Sequence, residues 1–249
     1  MKTIVFTVLS VTLVVPLHAD TLADVRAAVT ALHGSQPIRA NAELHRTDND
    51  DGRFSNDHFT GAATIEMAVD GEGVHLTFSP TMLDLFLREQ REHTANPKKI
   101  DATSRTAGGV GPLWVLAHLN ASDTFLGMLR YAKLQSESRA PWQSRPARLL
   151  VFRVDEPVPD GMRGIGSIDI KVHQLKVWVG DDNLPLAAER VQEGSLRVLL
   201  FHGGMKLRET WSFGRAADHF VIVRHDSSHS ADMLGQKSVG QTSDVITIR

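Results

Sequence analysis

The chain contains no cysteine. Disulfides, cysteine nucleophiles and lipid attachment through a cysteine thioether are thereby excluded. No basic run occurs, and 27 Lys and Arg stand against 29 Asp and Glu. That balance argues against a nucleic-acid partner. Beyond the first nineteen residues no apolar stretch approaches membrane-spanning length, so the rest is expected to be soluble or at most peripheral. Nucleophile-elbow, Ser-x-x-Lys, His-Glu-x-x-His and phosphate-loop patterns are all missing. Gly109–Val110–Gly111 lacks the third glycine and the preceding strand of a dinucleotide site. With no catalytic signature the chain is not read as an enzyme, and no cofactor is expected. Internal repeats and low-complexity tracts are absent as well.

What is present begins with an export signal. Lys2 precedes an apolar run over residues 4–15, and Leu17–His18–Ala19 ends in a small residue. Cleavage is expected after Ala19, with Asp20 rather than a lipidated cysteine following. Removing nineteen of 249 residues leaves 230, enough for one β-rich domain over 20–249 that holds itself by core burial alone.

Apolar spacing then assigns the elements. A helix is predicted over 21–32, with Leu22, Val25, Val29 and Leu32 on one stripe and Gly34 as its stop. A strand begins at Ile38, the polar stretch 47–57 reads as a loop, and strands follow at 59–69 and 74–78. The period changes at Thr81. A helical insert over about 81–134 includes a helix from Ser122 to Leu134 and a glycine-rich connector at 106–112. Its stripes carry Met82, Leu83, Phe86, Phe125, Met128 and Leu129. Residues 136–146 and 155–166 read as loops around a strand at 148–154.

A strand meander occupies 167–224. Its alternation slips by one near His173–Gln174, which predicts a β-bulge. Strands are expected at 186–193 and 195–202, with a hairpin turn at Gly203–Gly204 that a Val–Val replacement would strongly destabilise. Residues 220–224 are apolar on both faces and are expected to be covered on both sides. Helical segments cannot pair with strands, so the insert must pack on a sheet face. The fold class is α+β, a curved antiparallel sheet covered by helices.

Two groups of residues invite a chemical reading. Glu209 shares a strand face with Leu207 and Trp211. It is a carboxylate at the sheet edge, one paired with an arginine such as Arg153, or a polar handle inside an apolar cavity. Trp178 and Trp211 are core residues or a ligand platform. Among twelve histidines the densest group is His219, His225 and His229 with Asp226. Four residues along a strand span about 13 Å, too far for one ion. These side chains read as edge polars, and no metal is expected.

The helix and Gly34 leading into the Ile38 strand, residues 73–78 running into the Thr81 helix, and residues 175–179 followed by Leu184–Pro185 form a recognisable order. It resembles the periplasmic lipoprotein-carrier (LolA-type) superfamily. The resemblance implies an open half-barrel, lidded by helices on its concave face, whose cavity takes acyl chains. It implies a periplasmic binding or carrier protein for a lipid, acyl chain or lipoprotein. An envelope sensor or regulatory module gripping a protein partner is the alternative on the same fold. Met82, Leu83, Phe86, Phe125, Met128, Leu129, Trp211 and Glu209 are the expected cavity lining. The expected partner is a hydrophobic ligand or an envelope protein, with peripheral membrane contact allowed and the chain a monomer.

Overall fold

The computed structural model describes residues 18–51, 57–155, 167–198, 201–233 and 236–249. In chain order these form α1 (His18–Thr30), β1 (Ile38–Asp51), β2 (His58–Asp70), β3 (Gly73–Thr77), α2 (Pro80–Ala95), α3 (Ala102–Ala107), α4 (Pro112–Leu119) and α5 (Ser122–Met128). Seven strands follow: β4 (Ala132–Arg139), β5 (Arg148–Val154), β6 (Ser167–Val179), β7 (Pro185–Val198), β8 (Phe201–Ala216), β9 (His219–Met233) and β10 (Gln236–Ile248). The strands make one antiparallel sheet in the order β3-β2-β1-β10-β9-β8-β7-β6-β5-β4. The last strand pairs with the first, Ala40 opposite Ile248. The edge strands β3 and β4 do not meet, so the barrel stays open.

Alternation decides which face is buried. Ile38, Ala40, Ala42 and Leu44 of β1 are buried between exposed or half-buried neighbours, and Ala63, Ile65 and Met67 repeat the pattern on β2. Helices cover this concave face in two groups. Val25 and Val29 of α1 and Phe125 of α5 pack against Leu150, Phe152, Leu175, Phe213 and Phe220. Ala107 of α3 and Val115 and Leu119 of α4 pack against the β1, β2 and β10 side. The approach of α3 is close: a methyl group on Gly61 of β2 would lie 2.3 Å from Thr106 Oγ1. Ser79 caps α2 by accepting a hydrogen bond from the Met82 amide, and Pro80 occupies the first turn, where its missing N–H is harmless. The start of β9 runs between the two cores. Phe220 and Ile222 belong to one and Val221 to the other, as apolarity on both faces led us to expect.

Several expectations need correction. The helical insert ends at Met128 rather than 134, because residues 132–139 pair with β5 as strand β4. Two helical turns of apolar spacing were present, but backbone pairing with β5 won over them. Residues 47–51, read as loop, continue β1. Their polar side chains tolerate this because β1 pairs with β10 as far as Asp51 opposite Lys237. The bulge in β6 falls between Ile170 and Val172, upstream of the expected place. The segments 186–193 and 195–202 are not two strands, since β7 runs unbroken from Pro185 to Val198. The expected loop at 155–166 lies almost wholly outside the described residues.

Gly203 and Gly204 are not a turn. They lie within β8, opposite Leu196 and Ser195 on β7 and Met233 and Asp232 on β9. Positive φ among described glycines occurs at Gly34 and Gly73. A Cβ on Gly204 would meet nothing within 4 Å. Gly204→Val is therefore expected to leave thermal stability unchanged or raise it by up to about 1 kcal/mol. A loss of several kcal/mol in a melting experiment would contradict this strand placement.

Candidate functional site

Between the helices and the sheet lies a cavity of about 710 Å³. Leu44, Val110, Trp114, Met128, Leu175 and Ile222 supply apolar wall. One side of it is charged, and strand register explains how. Arg190 of β7 stands opposite Glu209 of β8. Trp211, two residues on and so on the same face, stands opposite His225 of β9. His225 stands opposite Asp244 of β10, which is opposite Leu44 of β1. Period-two alternation thus lines these residues up across five strands, β7 to β10 and β1, on the concave face. From above, the last turn of α4 lowers His118 onto the row.

The row is tightly connected. Arg190 Nε donates to Glu209 Oε2 at 2.8 Å, and its guanidinium lies 5.8 Å from the Trp211 ring centre. His225 Nε2 is 3.6 Å from Glu209 Oε1, and its Nδ1 is 3.4 Å from Asp244 Oδ2. Trp211 stacks on the His225 ring at 5.3 Å and 8°. Trp114 stacks on His118 at 3.8 Å. His118 Nδ1 is 2.8 Å from the Trp114 carbonyl oxygen. A carbonyl only accepts, so Nδ1 carries the hydrogen and Nε2 of the neutral ring is a bare acceptor. That Nε2 is 4.0 Å from Asp244 Oδ2.

The two imidazoles are driven apart in basicity. Burial lowers the His118 pKa to about 4, and the nearby His225 adds to that shift against the opposing pull of the Trp114 carbonyl and Asp244. Burial also disfavours charge on His225, but Asp244 and Glu209 outweigh it and raise its pKa to about 9. Glu209 is held below the usual carboxylate range: burial opposes ionisation, and His225 and Arg190 overcome it. Within the row Glu209 is therefore negative and His225 positive at neutral pH, set between Arg190 and Asp244. A neutral histidine sits beside it.

Of the residues expected to line a cavity, Met128, Glu209 and Trp211 lie on its wall. Phe125 and Leu129 are in the core, at 0% and 1% exposure. Met82 and Phe86 pack against the second core, Phe86 edge-on to Phe78 at 5.4 Å. Leu83 is 47% exposed on the outer side of α2. The partner of Glu209 is Arg190, its cross-strand neighbour, while Arg153 pairs with Asp155. His219 is buried away from His225, within reach of the Leu119 and Gln36 carbonyls. His229 is exposed.

Sequence reasoning missed His118, Arg190 and Asp244. His118 sits in an apolar octapeptide that reads as core. Arg190 and Asp244 look like ordinary outward residues of alternating strands. Knowing the register would have found them, since it alone shows which polar residues face inward.

No family model matches the chain, and no curated protein matches it. Among solved structures, a LolA superfamily protein of Nitrosomonas europaea is similar over 92% of this chain and 93% of its own, at 12% identity and a TM-score of 0.27. MucB in complex with the periplasmic part of MucA is similar over the same shares, at 9% identity and a TM-score of 0.22. TM-scores this low leave the cavity's own chemistry as the basis for any functional reading.

Proposed function

We propose that the protein is an exported binding or carrier protein for an amphipathic molecule, an acyl chain with a polar or anionic head. The observation that carries this reading is a cavity of ligand size whose apolar wall is interrupted on one side by a fixed charged row. Each methylene moved from water into such a wall contributes about 0.8 kcal/mol. Arg190 and His225 would receive the head group. The row is pre-organised, because each charge is already held by a neighbour and little ordering remains to be done on binding.

Native mass spectrometry of protein isolated from the cell envelope is expected to show a co-purifying lipid. Delipidated protein is expected to take up one fluorescent fatty acid per chain. A bare chain that binds no such probe would overturn the reading. Export is checked by N-terminal sequencing, which should begin at Asp20. Full-length protein confined to the cytoplasm would contradict it.

A second reading, a module that grips an envelope protein, draws on Leu83 and Leu87 of α2 and Leu113 of α4. These are 47%, 49% and 83% exposed, and apolar side chains left in water at helical spacing suit a partner surface. No helix among the described residues is long and apolar enough to cross a membrane.

A further inference from the structure

We infer that His118 Nε2, His225 Nδ1 and Asp244 Oδ2 form a binding site for a divalent transition metal of the zinc type, set in the cavity wall. Each of the three residues offers a ligand atom within 4.8 Å of the other two. Zinc bonds to nitrogen and oxygen of about 2.0–2.1 Å place neighbouring tetrahedral ligands about 3.3 Å apart. The 3.4 Å between His225 Nδ1 and Asp244 Oδ2 already matches that spacing. The 4.0 Å between His118 Nε2 and Asp244 Oδ2 closes with a shift of about 0.7 Å.

Two further observations point to a cation. His118 Nε2 is buried without a hydrogen-bond partner, on a side chain only 6% exposed. Its lone pair faces Asp244 Oδ2, an oxygen that the protonated His225 ring meets from the other side. A metal ion taken up among the three would displace the His225 proton, so binding is expected to release a proton and to weaken as pH falls. The outer contacts are also those of metal-binding histidines, whose second nitrogen is held by a carbonyl or carboxylate. His118 Nδ1–H donates to the Trp114 carbonyl. His225 turns Nε2 toward Glu209 at 3.6 Å, beyond hydrogen-bond length, and Glu209 is anchored by Arg190. Trp114 and Trp211, stacked on the two rings, hold them in orientation. Two imidazoles and one carboxylate are the borderline donor set that suits zinc and its first-row neighbours, and are too rich in nitrogen for calcium or magnesium.

This site does not depend on the amphiphile reading. The test uses untagged, delipidated, chelator-treated protein titrated with Zn²⁺ alone and with Co²⁺ alone. One Zn²⁺ per chain is expected, with a visible Co²⁺ absorption band. His118→Gln and Asp244→Asn should each weaken binding at least 100-fold, and Glu209→Gln 10- to 100-fold. His229→Gln, on the exposed end of β9, should change it less than about twofold, as expected for a residue outside both shells. Absence of a saturable site at micromolar zinc, or equal affinity across these variants, would overturn the inference. If a variant fails to fold, X-ray absorption of the unaltered zinc-loaded protein decides instead. Two imidazole nitrogens at about 2.0–2.1 Å support the site, and an all-oxygen shell rejects it. An amphiphile that binds while zinc does not would reject this site and leave the carrier reading standing.

Discussion

Leu129→Asp is expected to unfold the protein, whereas Met128→Asp, one residue earlier, is expected to fold and to bind a fatty-acid probe more weakly. Leu129 follows the last turn of α5 at 1% exposure, packed into the core that Val25, Phe125, Phe152 and Phe220 share. A carboxylate forced there without a partner costs several kcal/mol, comparable with the 5–15 kcal/mol that holds a typical domain together. Met128 is half-buried and lines the cavity. A carboxylate at that position reaches solvent through the open side of the cavity, so the fold survives. It also puts a negative charge where an acyl chain would lie, and probe affinity should fall at least tenfold, the equivalent of about 1.4 kcal/mol. Circular dichroism melting and fluorescent fatty-acid titration on both variants check this pair. A normally melting Leu129→Asp would show that α5 is not seated as described. A Met128→Asp protein that binds the probe normally would move the ligand elsewhere.

The second large effect is at Gly34, where α1 hands over to β1. Its φ is +64°, a left-handed conformation that any other side chain adopts only at about 1–2 kcal/mol. An added Cβ would lie 2.2 Å from His219 Nδ1. The ring cannot retreat easily. It is 3% exposed, with Nε2 2.7 Å from the Gln36 carbonyl oxygen and Nδ1 3.1 Å from that of Leu119. This histidine joins the end of α4, the entry to β1 and the start of β9. Backbone strain and overpacking together should cost Gly34→Ala about 2–4 kcal/mol, a fall in melting temperature of about 5–15 °C for a domain this size. A change within about 2 °C would mean that the contact between Gly34 and His219 is not as described.

How much of this was legible in one dimension differs by level. Strands β1, β2 and β6 announce themselves because residues such as Ile38, Ala40 and Ala42 alternate strictly with polar neighbours, and alternation is what a half-buried strand requires. From that period, and from the helical spacing around Met82 and Phe86, the α+β class and the curved, helix-covered sheet follow. Strand β4 was hidden because Phe125, Met128, Leu129 and Ala132 keep helical spacing past the point where the helix stops. Only the pairing of β4 with β5 reveals the change. Gly203–Gly204 misled because a diglycine is as compatible with an exposed strand interior as with a turn.

The charged row was legible only in part. Glu209 and Trp211 stood out because they share a face with apolar neighbours. His225 was noticed but weighed with His219 and His229, its neighbours in sequence. Its actual companions are its cross-strand neighbour Asp244 and, from a different element, His118, more than a hundred residues away. The strand-spacing argument against one ion held by His225 and His229 remains physically sound. It says nothing about partners brought together by register.

The proposed seat of an acyl chain in the cavity is tested most directly with the protein's own four tryptophans. Trp114 and Trp211 are on the cavity wall, while Trp142 and Trp178 pack against each other at 4.7 Å, away from the lining. Quenching by a brominated fatty acid acts at contact range. A Trp142→Phe/Trp178→Phe protein, which keeps the two cavity tryptophans, is expected to show strong, saturable quenching with one ligand per chain. A Trp114→Phe/Trp211→Phe protein, if it still binds, is expected to show almost none. Quenching confined to Trp142 and Trp178, or none in either protein, would contradict an acyl chain in this cleft.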